Sequence, residues 1–242
     1  MACTIVRALA RGSLALIISA LYACQRAPTT ADYFPFAVGT SWQYRVLRST
    51  MDGSREQRYA VANVAATSSD DPTVRIRETL DGQRYYYRVA DAGILRIGTR
   101  RRRGNRMVIE DESPQLVLPA QLAADVSWHA PTMTSVLENS GAPWDSTFRV
   151  TVPVAMQYRV ESLVAEVETP AGRFRHCLII AGAGSTAVDV GSNLGHTTIT
   201  ISTREWYAAG VGLVRLERHE QTSAKQLAEG RLVMELDSWH QR

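Results

Sequence analysis

His176 and Cys177 form an adjacent imidazole–thiol pair, residue types suited to metal ligation or thiol chemistry. Their spacing works against it. Neighbours on a strand point to opposite faces, so His176 falls with Phe174, Leu178 and Ile180, and Cys177 with Arg175 and Ile179. A single buried thiol is the simpler reading. His129, His196, His219 and His240 are scattered, and none forms H-E-x-x-H or another close ligand pair. No G-x-S-x-G elbow is present. Gly182-Ala183-Gly184-Ser185 lacks the rest of a phosphate-binding fingerprint and reads as a strand or loop. The expectation is no metal and no cofactor; a nucleophilic triad dispersed along the chain stays open.

The densest charge lies at Arg100-Arg101-Arg102-Arg103, which with Arg96 and Arg106 puts six arginines within eleven residues. Gly104-Asn105 marks a hairpin tip, and Glu110-Asp111-Glu112 follows across the turn. One reading is a solvated hairpin whose charges partly neutralise each other. The other is an anion contact with a lipid head group, a lipopolysaccharide phosphate or an acidic partner, since the planar arginine fork bonds phosphate bidentately.

The remaining candidate is Cys24. Met1–Gly12 carries Arg7 and Arg11 and no acid, Ser13–Ala20 is apolar, and small residues lead to the cysteine. That is the layout of an export signal, too short to span a bilayer, which needs about 20 apolar residues. Leu21-Tyr22-Ala23-Cys24 resembles a bacterial lipobox, with tyrosine looser than the usual small residue. The resemblance implies cleavage before Cys24 and its acylation with palmitate-type chains. A plain signal peptide with a chance cysteine is the alternative. Two or more chains anchor stably where one does not. The expected layout is a signal peptide over 1–23, a lipidated tether over 24–32 and one β-rich domain over 33–242. Resemblance to enterobacterial sorting signals implies that Gln25, in place of aspartate, favours the outer membrane, facing the periplasm.

Removing 1–23 takes two of the 27 basic residues and none of the 24 acidic ones, leaving 25 against 24. So neutral a chain argues against general nucleic-acid binding. Lys225 is the one lysine, which reads as the codon bias of a GC-rich genome. Of Cys3, Cys24 and Cys177, the last has no partner in the mature chain. Stability must therefore come from a core without disulfides.

The elements that must position these groups are strands. Trp42, Tyr44 and Val46 alternate with Gln43 and Arg45; Val74 and Ile76 with Arg75 and Arg77; Phe148, Val150 and Val152 with Thr147, Arg149 and Thr151; Ile199 and Ile201 with threonines; Leu232, Met234 and Leu236 with Val233 and Glu235. Turn signals punctuate them at Asp52-Gly53, Asp81-Gly82, Pro170-Ala171-Gly172 and Gly191-Ser192-Asn193. About twelve strands joined by short hairpins predict an all-β fold: a strongly curved antiparallel sheet or incomplete barrel with few short helical turns. One such turn is expected after Pro119, within Gln115–Asp125.

Three stretches carry a family resemblance. Tyr33–Tyr44 (YFPFAVGTSWQY), Thr169–Leu178 (TPAGRFRHCL) and Trp206–Arg215 (WYAAGVGLVR) resemble a group of uncharacterised bacterial lipoproteins. The resemblance implies a curved antiparallel sheet similar to the periplasmic lipoprotein carriers and their outer-membrane receptor. It implies no catalytic residues. Trp42, Tyr44, Trp128, Trp144, Phe148 and Trp206 are candidates for the core or for a cavity lining. The function expected is a non-enzymatic, membrane-anchored module that binds a lipid-like ligand or another envelope protein. The alternative is a hydrolase acting on an envelope substrate.

Overall fold

A computed structural model of the chain describes residues 27–66, 73–103, 106–141, 144–189, 195–224, 227 and 229–241, with side chains at 101–112 and 138–148 outside that description. Alternating apolar and polar residues give fourteen described strands: β1 (Ser41–Thr50), β2 (Gly53–Val64), β3 (Val74–Thr79), β4 (Arg84–Ala90), β5 (Gly93–Arg103), β6 (Arg106–Pro119), β7 (Ser127–Met133), β8 (Glu138–Gly141), β9 (Trp144–Arg149), β10 (Pro153–Thr169), β11 (Gly172–Asp189), β12 (His196–Ala208), β13 (Gly212–Thr222) and β14 (Glu229–His240). The helix described is one turn, α1 (Thr30–Tyr33).

Twelve strands form one antiparallel sheet in the order β6-β5-β4-β3-β2-β1-β14-β13-β12-β11-β10-β7, and β8-β9 is a separate hairpin. The order is a meander closed on itself by β1 pairing with β14, where Trp42 faces Trp239. Its two edges are β6 and β7, so the sheet is a barrel open at one seam. Closing a meander this way leaves two edges of the described twelve-stranded sheet without a ladder partner.

Antiparallel pairing sorts the connections to two ends. One end carries the β4–β5, β6–β7, β10–β11 and β12–β13 turns and the start of β1; α1 packs there. The opposite end carries the β1–β2, β3–β4 and β5–β6 turns and the long β7–β10 connection. At the first end Thr30 Oγ1 donates to the carbonyls of Pro119 and Ala120 (2.6 and 3.0 Å). Gly210 N donates to Asp32 O at 2.7 Å. Residues 30–32, expected within a tether, are thus folded onto the barrel.

The core occupies the lumen and, where Ile179 and Trp206 face away from Leu178 and Tyr207, the other side of the sheet as well. Tyr33, Phe34, Tyr87, Leu118, Trp128, Val160, Leu178, Ile180 and Tyr207 form one cluster. Trp42, Tyr44, Val46, Cys177, Ile179, Trp206, Val214 and Leu236 form a second. A third, around Met156, Ile199, Ile201 and Leu137, closes the opposite end. The β10–β11 hairpin bends over the sheet through several bulges, and Ala171 N reaches Leu236 O at 3.0 Å.

Three expectations need correction. No helix follows Pro119: Gln115 to Pro119 belong to β6, which pairs Leu118 with Ile94 and Pro119 with Gly93, and the chain beyond makes a single turn closed by Val126 N to Ala123 O at 3.2 Å. The strand expected through Phe148 and Val152 stops at Arg149, since Val150 leaves the hairpin and is buried in the third cluster. His176 does not group with Leu178: it is exposed, with φ +54°, at the bulge that sets Cys177 against Ala165, so the alternation breaks there.

Candidate functional site

Strand β3 holds the most unusual side chain. Arg77 was expected on a polar face opposite Val74 and Ile76. Ile76 is buried as expected and Arg75 is exposed, but the other face is covered at Arg77, whose guanidinium lies among aromatic rings. Its carbon is 3.6 Å from the Phe34 ring centroid and 4.8 Å from that of Trp42, with Phe36 and Tyr87 further out. Nε donates to Asn63 Oδ1 at 3.1 Å and Nη2 to Pro35 O at 3.0 Å. The Asn63 amide donates to the carbonyls of Pro35 and Ala37. Among the described residues Arg77 has no carboxylate partner. Burial lowers its pKa, opposed by the tyrosine hydroxyls around it. The arrangement clamps the Phe34-Pro35-Phe36 segment over one end of the lumen.

A second polar group lies deeper. Tyr207 Oη donates to Glu205 Oε2 at 2.5 Å. Burial holds the Glu205 carboxyl above its usual range, against the tyrosine bond and the Arg218 charge. Burial also pushes Tyr158, stacked on Trp128, up to about 12. Next to it Glu220, 0% exposed, accepts from Ser135 N and Val136 N at 2.9 and 3.0 Å and from Arg218 Nε at 2.5 Å. Arg218 also donates to Met133 O, and Arg48 to Ser135 O. These bonds tie the 133–136 connection across the opposite end. Each buried charge here has found partners, as burial demands.

The outward face carries an open groove of about 720 Å³ over β10 to β14, with Glu161, Arg204, Glu217, His219 and Arg231 around it. Its charges pair among themselves: Arg204 with Glu161, Arg215 with Glu217 and Glu235, and His219 and Arg231 with Glu229. Trp206 lies under the neighbouring Arg204 and Arg215.

The predicted residues disperse over this framework. Trp42, Tyr44, Trp128 and Trp206 are all buried, at 2, 4, 8 and 7% exposure. Trp42 Nε1 donates to Val211 O in the β12–β13 turn and Tyr44 Oη to Leu213 O on β13, so both reach across from β1. The side chains of Trp144 and Phe148, on β9, lie outside the described ones, as do those of Arg101, Arg102, Arg103 and Arg106 at the β5–β6 tip. Arg96 pairs with Tyr87 and Arg100 with Arg84 across a bulge in β4–β5, which turns the two arginines to different faces. Arg96 Nη2 bonds Gln115 Oε1. Cys24 lies outside the described residues. Burial pushes the Cys177 thiol up to about 11. Among the described residues no group of His, Cys, Asp or Glu could hold a metal ion, and no helix is long and apolar enough to cross a membrane. Sequence reading missed Arg77, Glu205 and Glu220, because alternation alone assigns charges to solvent.

Residues 107–227, half of the chain, match a family described as DUF3108-like. The chain belongs to the DUF3108-like family. The matched part runs from β6 to beyond β13, so it holds Glu205, Arg218 and Glu220 but not Arg77. No curated protein matches the chain. Among solved structures, a Bacteroides fragilis NCTC 9343 protein with a YmcC-like fold is 14% identical, covering 86% of this chain and 99% of its own, with TM-score 0.37. A Parabacteroides distasonis ATCC 8503 protein, provisionally named a lipoprotein, is 17% identical over 89% and 100%, TM-score 0.37. A LolA superfamily protein from Nitrosomonas europaea is 11% identical over 88% and 90%, TM-score 0.27.

Proposed function

We propose that this protein is a lipid-anchored, non-enzymatic binding module of the bacterial envelope. It engages another envelope protein through the outside of its barrel rather than carrying lipid inside. The observation that carries this reading is the filled lumen. Trp42, Ile94, Leu118, Leu178 and Ile180 are each 2% exposed or less, and Phe34 and Phe36 close the end above Tyr87. A lipid carrier needs an apolar cavity of several hundred Å³; the groove of comparable size here is open and lined by charges. Glu205 is held by Tyr207, and the surface pair of His219 with Glu229 at the groove has no serine or cysteine hydrogen-bonded to its imidazole among the described residues, which weighs against the hydrolase reading. Acylation at Cys24, the expected lipobox cysteine, supplies the anchor, and the outer membrane facing the periplasm is the proposed site.

Native mass spectrometry of the protein extracted from its own envelope tests this. The expected spectrum shows the acylated chain alone or with a protein partner. A stoichiometric lipid retained after detergent exchange, beyond the covalent acyl groups, overturns the reading in favour of carriage.

A further inference from the structure

We infer that the barrel end bearing α1 is the surface that meets the anchoring bilayer, and that the opposite end, with the arginine-rich β5–β6 tip, is held away from it. The inference rests on acylation of Cys24. Ala27 lies beside Ala209 and Gly210, at the tip of the β12–β13 turn. From Thr29 on the chain is bolted down: Thr29 N donates to Asp32 Oδ2 at 2.6 Å, Thr30 holds Pro119, Asp32 holds Gly210, and Pro35 is held by Arg77 and Asn63. Only three residue steps separate Ala27 from Cys24. Fully extended they reach about 11 Å. A diacylated cysteine sits at the edge of the hydrocarbon, beneath a polar layer roughly 5–7 Å deep on each side. The β12–β13 turn therefore cannot rise much above the head groups, and its neighbours at that end are brought down with it.

The far end cannot share that contact. β12 has 13 residues, about 40 Å of extended chain, or roughly 30 Å along a barrel axis if the strands tilt as in other barrels. Charges are screened over about 8 Å at physiological salt. The arginines of the β5–β6 tip therefore do not feel the anchoring leaflet. Side chains available at the bilayer end include Val38 and Val89, 58% and 56% exposed; Leu80, 89% exposed, lies on the β3–β4 turn at the opposite end.

The test uses the acylated full-length protein in vesicles of phosphatidylethanolamine and phosphatidylglycerol carrying a head-group nitroxide quencher. A fluorophore is placed at Val89→Cys or at Leu80→Cys, both exposed positions. Quenching at Val89→Cys is expected to exceed that at Leu80→Cys several-fold. Equal or reversed quenching overturns the inference. A second arm inserts twelve Gly/Ser residues between Gln25 and Arg26; quenching at Val89→Cys should fall several-fold, and unchanged quenching overturns the tether-length argument. The mass of the N-terminal peptide separates the two failures: an unacylated Cys24 removes the anchored reading itself, whereas an acylated chain with the wrong quenching pattern removes only the orientation.

Discussion

The Arg77 guanidinium carbon lies 3.6 Å from the centre of the Phe34 ring, while its Nη2 donates to the carbonyl of the next residue, Pro35, at 3.0 Å. A side chain from β3 thus grips both the face and the backbone of a segment more than forty positions earlier. The grip does what a carboxylate would do elsewhere. It offsets the burial of the cation through ring quadrupoles and carbonyl dipoles.

Loss of this grip should loosen the N-terminal segment first. Arg77→Ala gives up a desolvated cation–π contact worth about 2 kcal/mol. It also leaves Asn63 Oδ1 and one bond of Pro35 O without a donor, at about 1–3 kcal/mol. A destabilisation of about 3 kcal/mol is expected in urea unfolding. Arg77→Lys keeps the charge but not the planar fork and should recover about half. Hydrogen exchange over residues 30–37 should rise more than over β12. Equal acceleration in both would show that Arg77 supports the whole barrel rather than the segment.

Glu220 makes a stronger demand at the opposite end. Its carboxylate receives Ser135 N, Val136 N and Arg218 Nε while 0% exposed. Glu220→Ala strands Arg218 and two amides, and breaking a buried pair in this way costs about 3–5 kcal/mol. Glu220→Gln keeps acceptors for the amides and should lose less. Gly230→Ala should mimic the damage from the other side, because its Cβ would meet Val136 O at 2.1 Å. Denaturant midpoints rank the three; a Gly230→Ala protein as stable as the parent would contradict the packing.

How much of this was legible in the sequence follows from what each strand covers. On β1, Trp42, Tyr44 and Val46 share one covered face, so period two read correctly. On β3 the same rule failed for Arg77, because a distant segment covers the second face. Nothing local marks that Phe34 and Phe36 will return to it. The turn at Gly172 was readable from Pro170-Ala171-Gly172, and φ there is +131°. The bulge at His176 was not, since histidine does not advertise a positive φ. Residues 25–32 looked polar enough to be free, and it is the carbonyls of Pro119 and Ala120 and the β12–β13 turn that fix Thr30 and Asp32. Acids drawn inward by tertiary contact, the half-buried Glu205 and the fully buried Glu220, sit in stretches that alternate like their neighbours.

Glu205 should leave a signature in the pH dependence of stability. Its pKa in the folded state is raised above the ordinary carboxylate range, chiefly by burial, with Tyr207 and Arg218 opposing. The folded state therefore binds its proton more tightly than the unfolded chain. That contribution is fully present below the unfolded pKa, about 4.3, and is lost as pH rises through the higher folded value. Glu205→Gln keeps an acceptor for Tyr207 and carries no charge. Its stability relative to the parent should thus increase between about pH 4 and the folded pKa, then level off. Exposed Glu166 and Glu229 act in the opposite sense, since arginine and histidine partners lower their pKa values. They are common to both proteins and cancel in the difference. Urea titrations at a series of pH values measure it; a difference that stays flat with pH would place Glu205 in contact with water.

Cys177 offers a direct probe of whether the hairpin over the sheet stays closed. The thiol is 0% exposed beneath β10–β11, and burial first, then the Glu166 charge, pushes its pKa up to about 11. Thiolate is the reacting species, so both access and ionisation protect it. With Cys24 acylated, the native protein should show almost no reaction with a thiol reagent at pH 8, and one equivalent once unfolded in urea. If labelling in the native state proceeds through local opening, its rate should depend on the bond from Ala171 N to Leu236 O, which closes the hairpin onto β14. Shortening the Trp239 side chain, which packs against Phe174 at 5.7 Å, should loosen the same flap. Trp239→Ala is therefore expected to raise native-state labelling of Cys177 at least ten-fold while Arg77→Ala leaves it nearly unchanged, because the Arg77 clamp holds the other covering of the barrel. Equal acceleration by both variants would mean that Cys177 is reached only by global unfolding.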